Sequence, residues 1–175
     1  MINLSLKIET NKIHPLKAEK NQFTKSEIQL KLEYYCAYQE RCYKEVENKL
    51  FEFQLTEEEK QDLIIYLIEN NFINEERFAK SFVRGKHNYK FWGKNRITNE
   101  LKFRNISSRI IQEALKEIPE TTYLENFHRV AEKHWNSIKE RKGPKKNKKF
   151  VDFLLRKGYE TNLIFEKLRV LETKS

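Results

Sequence analysis

The chain has 175 residues, with 35 Lys and Arg against 26 Asp and Glu and a net charge of +9. At 38% hydrophobic, with no apolar run near the ~18 residues of a membrane span, it excludes a membrane protein. Its 12 Phe, 8 Tyr and 2 Trp exclude a disordered chain, and only 4 Gly and 3 Pro favour long helices with few irregular loops.

Residues 1–23 read as a tail, with weak alternation in INLSLKI and then His14-Pro15. From Thr24 the periodicity turns helical. Thr24 with Glu27, Thr56 with Glu59 and Thr122 with Glu125 have capping-box spacing, the hydroxyl accepting from a first-turn amide while the carboxylate reaches back. Asn74 and Ser107 are further N-cap candidates. A first module over 24–72 carries Ile28, Leu32 and Tyr35 on one helix, Val46 and Leu50 on a second, and Leu63, Ile64 and Leu67 on a third. A second over 73–119 carries Phe78 and Phe82, a turn at Trp92-Gly93, Ile97 and Leu101, and then Ile110, Ile111, Ala114 and Leu115 before Pro119. A third over 120–175 opens with a helix whose face is Tyr123, Phe127, Val130, Ala131 and Ile138. The basic loop KGPKKNKK follows, then helices over about 147–157 and 161–171, with Gly158 ending the former.

The modules repeat one pattern. Val46, Leu50 and Leu55 recur 51 residues later as Ile97, Leu101 and Ile106, and 53 residues after that as Phe150, Leu154 and Tyr159. A period of this length marks stacked helical units, which make long binding surfaces more readily than deep clefts. The expected fold is all-α, three tandem three-helix units with helix-turn-helix-like connectivity in an elongated array whose curvature stays open.

Chemistry-bearing motifs are sparse. Gly85-Lys86 lacks the upstream glycine of a phosphate loop. The histidines 14, 87, 128 and 134 are dispersed and read as surface or half-buried. Cys36 and Cys42, six apart on an expected helix, face about 240° apart and read as a reduced, intracellular pair. Neither a catalytic group, a metal site nor a cofactor is expected, and the chain reads as a cytoplasmic protein without a signal segment. In YYCAYQERC, Tyr35 and Cys36 read as a packed helix end, with partner contact the alternative. Trp92 reads either as packed in a tight turn or as an exposed ring that stacks a base of single-stranded nucleic acid.

Charge is segregated. Residues 40–77 carry a net −6, residues 84–104 a net +6 and residues 139–157 a net +7. Phosphate contact explains such clustering better than ordinary solvated faces do. The candidate contacts are Arg84, Lys86, Lys94, Arg96, Lys102 and Arg104 in the second module, and Lys145, Lys146, Lys148, Lys149, Arg156 and Lys157 in the third.

Four segments, YYCAYQERC, EVENKLFEFQL, NNFINEERFAKSFVRGK and FWGKNRITNELKFRNIS, resemble in their order the RecX family, bacterial regulators of the RecA recombinase. Phe78 and Ala79 match the link into the second module, and Gly93, Arg96, Ile97 and Leu101 match the family's Gly-x-x-Arg-Ile segment. The resemblance covers about residues 24–172, strongly in the first two modules and more weakly in the third. It implies a monomeric regulator of recombination and repair that binds the RecA–single-stranded DNA filament and mainly inhibits it. Duplex DNA is an alternative ligand. The rival reading is an independent helical DNA-binding protein or transcriptional regulator, although SSRIIQEALKEI offers few side chains suited to base edges.

Overall fold

The computed structural model describes residues 23–173, so the expected tail, Phe23 apart, lies outside the described residues. Nine helices and no strand form among them: α1 (Lys25–Tyr38), α2 (Tyr43–Leu50), α3 (Glu57–Glu69), α4 (Glu75–Lys90), α5 (Lys94–Phe103), α6 (Ser108–Leu115), α7 (Glu120–Ser137), α8 (Pro144–Lys157) and α9 (Thr161–Thr173). Both halves of the capping box are made at Thr24 and at Thr56. Asn74 and Ser107 each accept a first-turn amide.

The end of α5 explains the third apolar residue of the repeat. Asn105 adopts φ 62°, and the Ile106 amide returns to the Leu101 carbonyl at 3.1 Å. The end of α8 repeats this, with Gly158 at φ 88° and the Tyr159 amide on Leu154 at 3.2 Å. A left-handed residue closes each helix, and the apolar residue after it folds back onto the core. α2 ends without such a residue, its cap Phe51 remaining right-handed, and Leu55 is only half-buried.

Two apolar cores result. Ile28, Leu32, Val46, Leu50, Leu63 and Leu67 form the core of α1–α3. The six helices that follow share one larger core, which includes Phe78, Ile97, Leu101, Tyr123, Phe127, Phe150 and Leu154. Burying each such side chain contributes about 1.5–3 kcal/mol. The first three helices join the rest through Cys42, which is buried in the larger core, and through polar contacts: Arg77 to Glu40 at 2.6 Å, Lys44 Nζ to the Phe103 carbonyl at 2.7 Å, and Arg104 to Glu45 at 3.3 Å.

The structure departs from the sequence reading at four places. α7 starts at Glu120 behind Pro119, so Thr122 lies inside the helix and caps nothing. α8 starts at Pro144, ahead of the expected start near 147, so Lys145 and Lys146 are helical and not a loop. Proline suits a first helical position, where its missing amide hydrogen leaves no bond unmade. Cys36 and Cys42 do not share a helix, because α1 ends at Tyr38 and Cys42 caps α2. Both cysteines are free and buried, Cys36 in the first core and Cys42 in the second, and burial raises the Cys36 thiol to about 11. His87, expected at the surface or half-buried, is fully buried.

Candidate nucleic-acid interface

The second and third helix triplets meet backbone to backbone. The Gly93 amide donates to the Lys157 carbonyl at 2.8 Å, and the Asn95 amide to the Gly158 carbonyl at 3.0 Å. Between them, the Lys94 amide donates to the Tyr123 hydroxyl at 3.2 Å, and that hydroxyl donates to Glu160 at 2.5 Å. The free amides at the start of α5 are thus met by carbonyls at the end of α8, a head-to-tail alignment of helix dipoles. Burial, followed by the bond to Glu160, drives the Tyr123 phenol far above its ordinary range and keeps it a neutral donor. Both glycines are needed for the approach, since a Cβ on Gly93 would stand 2.2 Å from the Gly158 carbonyl oxygen.

His87 supports the same turn. Asn126 Nδ2 donates to His87 Nε2 at 2.9 Å, which leaves His87 Nδ1 to donate to the Trp92 carbonyl at 3.0 Å. Arg129 in turn donates to Asn126 Oδ1 at 2.6 Å.

This junction sorts the candidate cations. Arg96 donates to the Arg156 carbonyl at 3.1 Å and covers the Trp92 ring at 3.9 Å. Trp92 is half-buried, with Phe82 at its edge and Lys86 5.2 Å from its ring centroid. Several candidates already have carboxylate partners: Arg84 with Glu117, Lys94 with Glu120, Arg104 with Glu45 and Glu100, Lys148 with Asp152, and Lys149 with Glu140. Lys146 lies over Trp135 at 4.5 Å. Lys102, Lys145 and Arg156 are exposed and pair with no carboxylate among the described residues. Lys157 donates to the Lys90 carbonyl at 2.9 Å, and burial, then Arg96 and Lys90, lowers its affinity for a proton.

Arg96 and Arg156, together with Asn95, Asn99, Phe103 and Glu100, the last paired with Arg104, line an open groove of about 530 Å³ between α5 and α8. Phe103 is 72% exposed, far more than Trp92, and its position in the repeat, an ordinary helix end, carries no sign of this. Groups of three or more His, Cys, Asp or Glu suited to a metal are absent among the described residues, and no described helix is long and apolar enough to cross a membrane.

His134 makes stability depend on pH. Its ring stacks on Phe153 at 3.8 Å, and its Nε2 is buried without a partner. Burial, assisted by Arg156 and opposed by a backbone bond at Lys149, lowers its pKa below the ordinary 6.5. The unfolded chain therefore binds the extra proton first. The stabilisation is complete above pH 6.5 and fades as pH falls below that value. Melting temperatures measured across this range should fall toward acid, and His134→Phe should flatten the decline. An unchanged slope in the variant would remove His134 as its cause.

The comparisons follow the helix triplets. The family descriptions "RecX, second three-helix domain" and "RecX, third three-helix domain" match residues 74–115 and 121–168. The match thus extends over the third triplet, where the sequence resemblance is weaker. The regulatory protein RecX of Bacillus cytotoxicus is 28% identical over 130 residues, 74% of this chain and 48% of that protein. That of Vibrio campbellii is 37% identical over 101 residues, 58% of this chain and 63% of that protein. The chain thus spans about half to two thirds of the length of these curated relatives. The crystal structure of RecX from Lactobacillus salivarius superposes with a TM-score of 0.70 at 28% identity, covering 85% of this chain and 96% of that one. By its matched residues, its nine-helix order and its fold, this chain belongs to the RecX family.

Proposed function

We propose that this protein modulates, mainly by inhibition, the RecA recombinase, and that it does so by binding the RecA–single-stranded DNA filament. The observation that carries the reading is the union of the second and third triplets on one core, with Arg156 and Lys157 at their junction, and Lys102 on α5, left without carboxylate partners among the described residues. A rigid basic surface of this kind suits a repetitive polyanion, because phosphate contacts release counterions. The protein acts by binding as a monomer, in the cytoplasm, with no chemistry of its own.

The test is RecA's single-stranded-DNA-dependent ATP hydrolysis, measured while this protein is titrated in below parity. A falling rate supports the reading, and an unchanged rate up to parity overturns it. The double variant Lys102→Glu, Arg156→Glu should inhibit about tenfold less at low salt, the scale of losing two phosphate contacts, with unchanged helical content. Equal inhibition by the variant would remove this surface from the mechanism. The rival reading, an independent DNA-binding protein, gains nothing from α6: Ile111 and Ala114 are buried and the helix packs on α4.

A further inference from the structure

A second pocket, of about 470 Å³, lies on the other side of Lys157, between the end of α4, α7 and α8. Its apolar wall is Phe91, Val130 and Phe153, and its cations are Arg129, Lys133 and Lys157. No Asp or Glu is among its lining residues, and none of the three cations pairs with a carboxylate among the described residues. Elsewhere on the surface Arg84, Lys94, Lys148, Lys149 and Lys167 have acidic partners, while Lys102, Lys145 and Arg156 have none among the described residues. Cations gathered without counter-charge repel one another, and an anion seated among them relieves that repulsion.

Phe91 adds a second observation. It closes α4 at φ 53°, while α3, α5 and α8 are closed at the equivalent left-handed position by Asn71, Asn105 and Gly158. Those residue types tolerate the conformation, and a bulky side chain is disfavoured there by about 1–2 kcal/mol. The phenylalanine is therefore held against the backbone's preference, and its ring forms the pocket wall beneath the Arg129 guanidinium, 4.6 Å away.

We propose that this pocket binds one nucleotide unit of single-stranded nucleic acid, its base against Phe91 and Phe153 and its phosphates on Arg129, Lys133 and Lys157. An aromatic wall takes a planar base regardless of its identity, and the cations follow the backbone. A pocket of this size suits one such unit. Lys157 and its neighbour Arg156 carry the positive line on to the groove between α5 and α8, so a strand has somewhere to continue. The pocket deepens the filament reading by naming where the strand is held.

The test uses the full chain, isotopically labelled, titrated with oligothymidylate and separately with thymidine monophosphate, with amide shifts followed by NMR. The amides of Phe91, Lys133 and Phe153 should move with the oligonucleotide at concentrations well below those the mononucleotide requires. Lys133 is exposed and carries no ion pair, so Lys133→Glu should fold and should weaken oligothymidylate binding by about tenfold. Lys116→Glu makes the same charge change on the remote α6 end and should cost less than about threefold. Equal losses in the two variants would mean diffuse charge attraction and overturn the pocket. Three other results would also overturn it: shifts confined to another surface, a mononucleotide that binds as well as the strand, or an acidic aromatic peptide that alone moves these amides. RecA is absent throughout, so intact strand binding with no effect on ATP hydrolysis would sink the filament reading and leave the pocket standing.

Discussion

Gly93→Ala is expected to destabilise the protein by about 3 kcal/mol and to lower its melting temperature by about 6–12 °C. The added methyl group would lie 2.2 Å from the Gly158 carbonyl oxygen and 2.5 Å from the Tyr159 nitrogen, and backbone atoms cannot rotate out of its way. α5 must therefore lift from α8. The amides of Gly93 and Asn95 then lose their carbonyls, and a buried donor left unmet, as at Gly93, costs about 1–3 kcal/mol. Gly158→Ala meets the Arg96 Cβ at 2.3 Å and also carries the strain of φ 88°. Gly85→Ala is the matched control, because a Cβ there meets nothing within 4 Å. A Gly93→Ala protein that melts with the Gly85→Ala control would show that the two helix ends do not need this approach.

Leu50→Ala and Leu101→Ala remove the same side chain from equivalent positions in the repeat, yet they should unfold different parts of the chain. Both leucines are fully buried, and each truncation should cost about 2–5 kcal/mol. Leu50 belongs to the core of α1–α3, and Leu101 to the core shared by α4–α9. Residue-resolved hydrogen exchange should show Leu50→Ala releasing amides of the first triplet while the other six helices stay protected. Leu101→Ala should release α4 to α9 together. Apart from Cys42, buried in the larger core, the link between the two parts is mostly ion pairs with partly exposed side chains, which contribute little each, so it should carry little of the disturbance across. A uniform rise in exchange from Leu50→Ala would show one cooperative unit instead of two.

The features that were legible in advance are those whose physics is local. Val46 and Leu50, Ile97 and Leu101, and Phe150 and Leu154 are four apart because one face of each middle helix is buried, and that spacing is visible without coordinates. The hydroxyls of Thr24 and Thr56 cap through partners three residues away. Thr122 failed under the same rule because Pro119 had already started the helix. The Gly93–Gly158 contact joins residues far apart in sequence, and no local pattern announces it. His87 gave the same difficulty, since its partners Trp92 and Asn126 come together only once α4 packs on α7. Counting charges found the basic segments but not which cations were already neutralised. Glu45 sits in an acidic stretch and nevertheless engages Arg104, while Arg129 and Lys133 lie outside both basic windows and face the pocket.

The head-to-tail meeting of α8 and α5 bears on how the chain is made. Synthesis delivers α5 long before α8, so the nascent second triplet leaves the ribosome with the first amides of α5 unanswered and with half of its core not yet translated. The first triplet has its whole core in hand by Ile73 and can fold as it emerges. The remaining six helices must wait for Tyr159 and the residues after it, and then settle together. A stalled or truncated product ending near Pro119 would carry one finished unit and one exposed, half-built one, and would be a natural target for chaperones and proteases.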